Sequence, residues 1–173
     1  MKLIKIQTLF FSMALLGLAQ VASGNVGKTD RTCTLSFAAG RVDLSHNAKA
    51  ELKELVAKAR SQGKIDEVQV AVWSDNPAPR LGEQLSKSDR SLANKRTDAI
   101  RKYLKDSLKV ADVDTYNMAE RANWLARLFD TSDAELKTEL NRGGNMSTEE
   151  FKIFKDNGDA SKAVVLVKMA LAE

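Results

Sequence analysis

Apolar and polar positions alternate at the start of the ordered pattern. Cys33, Leu35 and Phe37 share one side of a predicted strand over 32–37, and Ala38-Ala39-Gly40 breaks it. The period then lengthens. Ala48, Leu52, Leu55, Val56 and Ala59 recur at helical spacing behind Ser45, a good N-cap, so 46–61 reads as an amphipathic helix closed by Gly63. Val68, Val70 and Val72 alternate with Gln69, Ala71 and Trp73, a second strand that runs into Ser74-Asp75. Residues 74–88 hold both prolines, Pro77 and Pro79, and read as a long loop. A second helix begins near Asp89 or Ser91, with Leu92, Ala99, Ile100, Tyr103 and Leu104 as its buried stripe. Arg90, Lys95, Arg101, Lys102 and Lys105 fall on its solvated face.

A weaker strand is expected around 113–118. From 120 to 157 the pattern turns to short helices. Trp124, Leu125, Leu128 and Phe129 fit one of them, and Trp124 reads as a core residue ahead of a stacking one. Ser132–Glu135 and Ser147–Glu150 both fit capping boxes, with a turn at Asn141–Asn145 between them. The apolar run Ala163–Leu171, interrupted by Lys168, suits a central strand covered on both faces. The fold class expected is α/β (an α+β sandwich). About four strands form a mixed sheet in βαβαβ…β order, with helices packed on one face and a short helical insert at about 120–157 before the last strand.

The N-terminus changes the picture. Lys2 and Lys5 precede an apolar stretch from Leu9 to Leu18, and Ala22-Ser23-Gly24 follows. This reads as a cleaved secretory signal over 1–24. A retained anchor is the alternative, but the stretch falls short of the ~20 residues a span needs. Its removal leaves 149 residues, enough for one domain at 25–173, with 25 bases against 23 acids. Half of the whole chain's +4 therefore sits in the signal. A nucleic-acid partner, which needs a concentrated basic face, is not expected. Nor is an integral membrane span after removal of the signal.

One cysteine, Cys33, allows no internal disulfide and is expected to be buried. One histidine, His46, sits behind an N-cap, where exposure is the usual outcome. With a single Cys and a single His, the common zinc sites cannot be assembled. There is no GxSxG, no HExxH and no glycine-rich phosphate loop, and Glu149-Glu150 suits a helix start better than acid–base catalysis. The chain is read as non-catalytic, with no cofactor.

The chemistry that is present lies at the end of the second strand. Asp75 closes that strand, and Arg96 lies on the second turn of the helix that returns over the sheet. A carboxylate can take an ammonium and a guanidinium can take a carboxylate in fork geometry, so the pair suits a zwitterion. From spacing alone, the plainer outcome is an Asp75–Arg96 salt bridge that ties loop to helix.

The residues around this pair carry a resemblance. Asp89, Leu92, Ala93, Arg96, Thr97, Ile100 and Leu104 keep the spacing of the pattern Asn-x-x-Leu-Ser-x-x-Arg-Ala-x-x-Val-x-x-x-Leu found in OmpA-like peptidoglycan-binding domains. Val70–Asp75 resembles that family's strand ending in Thr-Asp. Leu35-Ser36-Phe37 with Leu44-Ser45 and Ala48 resembles its first strand and helix start, and Ala163–Val167 its last strand. The similarity spans about 32–118 and 162–171. It implies non-covalent binding of peptidoglycan, with Asp75 and Arg96 holding the diaminopimelate of the stem peptide and Asp89 and Leu92 beside them. It also implies a periplasmic location in a Gram-negative envelope, with envelope proteins as further partners. Three features differ from the family pattern. Asp89 replaces asparagine, Gly40 offers no side chain after the first strand, and the 74–88 loop is long and lacks a glycine after Asp75. The alternative reading is a degenerate OmpA-like fold that serves as a protein-interaction module through the 120–157 insert.

Overall fold

In a computed structural model of the chain, residues 31–79, 83–120 and 147–170 are described. The segment read as a signal, most of the 120–157 insert (Trp124, the 132–135 capping box and the 141–145 turn among it) and residues 80–82 lie outside them. The elements are β1 (Thr32–Ser36), α1 (His46–Gln62), β2 (Ile65–Val72), α2 (Lys87–Lys102) with a π-helical turn at Tyr103–Ser107, β3 (Val113–Asn117), α3 (Thr148–Asn157) and β4 (Lys162–Met169).

The strands form one mixed sheet in the order β1-β4-β2-β3. β4 runs antiparallel to both neighbours, with Cys33 opposite Val165 and Val70 opposite Val165 on its other side, while β2 and β3 are parallel. The expected α/β class and the central place of the last strand both hold. β4 is apolar throughout its middle because both its faces are covered. On one face α1 and α2 pack over Leu35, Val68, Val70, Val72, Ala163, Val165 and Val167. The five apolar residues expected on the buried side of α1 are buried, Ser45 Oγ accepts the Ala48 N–H at 3.1 Å, and Gly63 closes the helix onto the Ala59 carbonyl. His46 is exposed at its start.

Among the described residues, the opposite face is covered by α3. Phe151 and Phe154 of α3 pack on Ala71, Trp73, Met118, Val164 and Leu166. The capping box at Ser147–Glu150 forms, with the Glu150 N–H on Ser147 Oγ at 3.2 Å and the Ser147 N–H on Glu150 Oε2 at 2.6 Å. Lys168, the charge that interrupts the apolar run Ala163–Leu171, pairs with Glu67 at 3.1 Å and Glu150 at 3.5 Å, so it joins α3 to the sheet.

α2 departs from its expected outline in two ways. It starts at Lys87, since Ser86 accepts the Asp89 N–H at 3.1 Å and caps two residues earlier. Its buried line is Ala93, Arg96, Thr97, Ile100 and Leu104, while Leu92 and Ala99 are half-buried at its side. Hydropathy rotated the expected stripe because an arginine does not score as core.

Candidate functional site

Asp75 stands three residues beyond β2, where three segments meet. The β2–α2 loop is stitched to the start of β4 by the Ser161 N–H on the Ser74 carbonyl (2.6 Å) and the Trp73 N–H on the Lys162 carbonyl (3.0 Å). The third segment is the β1–α1 loop. Gly40, at φ +67°, points its N–H at Asp75 Oδ2, 2.6 Å away. Left-handed backbone of this kind favours glycine, so a residue that offers no side chain still supplies a donor.

Asp75 Oδ1 accepts the Ser161 hydroxyl at 2.8 Å and Arg96 Nη2 at 2.6 Å. Burial opposes ionisation here. The Gly40 N–H, the Arg96 guanidinium and the Ser161 hydroxyl together outweigh it and hold the carboxyl below its ordinary range. A carboxylate offers about four acceptor positions. Three are occupied within the chain, and 28% of the side chain is exposed.

Arg96 is at the bottom of this arrangement with no exposed side-chain surface. Its Nε donates to the Arg41 carbonyl at 2.8 Å, Nη1 to the Trp73 carbonyl at 3.1 Å, and Nη2 to the Ala38 carbonyl at 3.2 Å as well as to Asp75. The guanidinium also lies 4.7 Å from the Phe37 ring centre, within cation–π range. Four of the five N–H donors of an arginine are thus engaged internally. The structure brings Asp75 and Arg96 together as the sequence spacing suggested. It presents only the carboxylate outward.

Asp89 and Leu92 flank the pair on α2. Asp89 Oδ1 accepts Asn76 Nδ2 at 2.9 Å and Oδ2 accepts the Ser86 hydroxyl at 2.5 Å. These bonds, from Ser86 first and Asn76 next, hold its carboxyl below the ordinary range against the effect of burial. Where an asparagine would offer an amide, Asp89 anchors the β2–α2 loop to the helix. Leu92 is half-buried.

Arg41 and Ser161 were not anticipated from the sequence, and Gly40, noted there for its missing side chain, contributes its N–H instead. The sequence signal was slight: a glycine after β1, and a serine at the end of the Gly158–Ser161 turn before β4, where Ser161 adopts φ +59°. Among the described residues no group of three or more His, Cys, Asp or Glu side chains could hold a metal ion. No helix among them is long and apolar enough to cross a membrane.

No family model matches the sequence, and no curated protein matches it. Among solved structures, the chain is similar to the OmpA-like domain of FopA1 from Francisella tularensis subsp. tularensis SCHU S4. The identity is 15%, 81% of this chain and 75% of that chain are covered, and the TM-score is 0.40.

Proposed function

We propose that this chain is a non-catalytic, periplasmic OmpA-like domain that binds peptidoglycan non-covalently. The group it would hold is the diaminopimelate of the stem peptide, and the residue that meets it is Asp75. The supporting observation is the carboxylate itself. It is ionised, fixed by Gly40 and Ser161, and keeps one acceptor position and part of its surface open. An ammonium on the ligand fits that position, as a charge-assisted hydrogen bond. Arg96 lies behind Asp75 and holds it in place, and Asp89 and Leu92 border the site along α2.

A second reading is favoured by one observation, the complete burial of Arg96 with its donors on three backbone carbonyls. In that reading the pair is a structural tie, and the insert carries an interface for an envelope protein. Titration of the protein with a stem tripeptide, followed by amide chemical shifts, separates the two. Shifts centred on Gly40, Asp75 and Ser161 favour the peptidoglycan reading. A spectrum unchanged at those residues favours the interaction module.

A further inference from the structure

Among the described residues on the α3 side of the sheet, acceptors outnumber donors. Side chains alternate between faces along a strand, so Glu67 and Gln69 share the side on which Ala71 meets α3. Asp114 of β3 stands opposite Gln69, and Lys168 of β4 opposite Glu67. Lys168 Nζ lies 3.1 Å from Glu67 Oε2 and 3.5 Å from Glu150 Oε1 of α3. Gln69 Nε2 donates to the same Glu67 Oε2 at 3.3 Å, which leaves Oε1 to carry a proton. Gln69 Oε1, fully buried, has no hydrogen-bond partner among the described residues and marks the same shortage of donors. Three carboxyls thus share one ammonium. Tyr116 adds no charge, since burial and the charges of Asp114, Glu67 and Glu150 push its phenol up. Glu149 and Lys152 of α3 are exposed.

Two carboxyls in contact do not both ionise without cost. Burial, and then a hydrogen bond with Asp114, raise the Glu67 carboxyl, and Lys168 offsets them only in part. A proton on Glu67 replaces the repulsion with an O–H···O⁻ bond to Asp114, a strong, charge-assisted kind. We infer that the Glu67–Asp114 pair is a proton-operated fastening for α3. With one proton between the two, α3 stays docked through Lys168 and Glu150; without it, α3 loosens. The turn after α3 carries Ser161, whose hydroxyl bonds Asp75 at 2.8 Å, so the fastening also governs how firmly that carboxylate is held. The inference is independent of what binds at Asp75.

By linkage, Glu67 contributes fully at low pH, and the contribution is lost as pH rises through its raised value. Asp75 acts with the opposite sign and at lower pH, because its carboxyl is lowered. Amide hydrogen exchange at Phe151, Phe154 and Gly158 of the whole protein, corrected for the intrinsic pH dependence of exchange, tests the fastening. Protection there is expected to fall about tenfold between about pH 5 and about pH 8, the equivalent of roughly one unit of pKa displacement. Glu67→Gln, whose amide donates to Asp114 at any pH, is expected to keep the acid-side protection throughout, and Asp114→Asn to flatten the profile as well. In the wild type the Glu67 carboxyl carbon, followed by NMR, is expected to titrate above the ordinary glutamate range. Protection that does not change with pH, a fall that survives Glu67→Gln or Asp114→Asn, or a Glu67 carbon that titrates in the ordinary range would overturn the inference.

Discussion

A buried arginine survives in a protein only where its donors find acceptors, because an uncompensated charge in the interior costs several kcal/mol. Arg96 finds Asp75 and the carbonyls of Ala38, Arg41 and Trp73. Arg96→Ala should therefore cost about 3 kcal/mol or more in urea unfolding, and Arg96→Lys should not rescue it, since a lysine lacks the planar fork. Asp75 gives a pH dependence of definite sign. Its folded carboxyl ionises more readily than its unfolded one, so its contribution is present above the ordinary carboxylate range and lost as pH falls through the lowered value. The urea midpoint of the wild type should drop between neutral pH and about pH 3 more steeply than that of Asp75→Asn. Cys33 is half-buried against the core, and burial, with the Glu51 charge, pushes its thiol up to about 12. Alkylation at about pH 8 should run roughly a hundredfold or more slower in the folded protein than in urea. At this scale the sequence was informative about charge and spacing: the partnership of Asp75 and Arg96 was legible. Donors that belong to the backbone were not, since a glycine's N–H leaves no trace in composition.

Each element carries its own legible part. α1 was readable end to end because cap, apolar stripe and glycine agree. α2 was not, because the residue nearest the middle of its buried line is charged. α3 could be anticipated from its capping box, but its place on the second face could not, since a short amphipathic helix does not name the surface it covers. That place follows from Phe151 and Phe154 meeting the residues of β2 and β4 whose side chains point away from α1 and α2. Gly158 ends α3 directly over Trp73, where a Cβ would overlap the indole ring. Its backbone φ of −85° suits any residue, so the requirement is one of space alone. Gly158→Ala should lower stability by about 1–3 kcal/mol in urea unfolding, as overpacking does. The turn that follows Gly158 delivers Ser161 to Asp75, so the packing of α3 and the geometry of the carboxylate are mechanically joined.

The mixed sheet sets the position of the site in the whole molecule. With β4 in the centre and β2 beside it, the C-terminal end of β2 meets the start of β4 and the β1–α1 loop, and all three converge on Asp75. The fold class was legible because both strand and helix periods are clean over most of the chain. What sequence could not resolve was which arginine faces outward, since exposure depends on three segments far apart in sequence. The measurement that bears most directly on the function proposed is co-sedimentation of the protein, freed of residues 1–24, with purified peptidoglycan sacculi, with Asp75→Asn run alongside. The account predicts that the wild type pellets with the sacculi and that Asp75→Asn stays largely in solution. A wild type that remains in the supernatant, or an Asp75→Asn protein that pellets equally well, would contradict it.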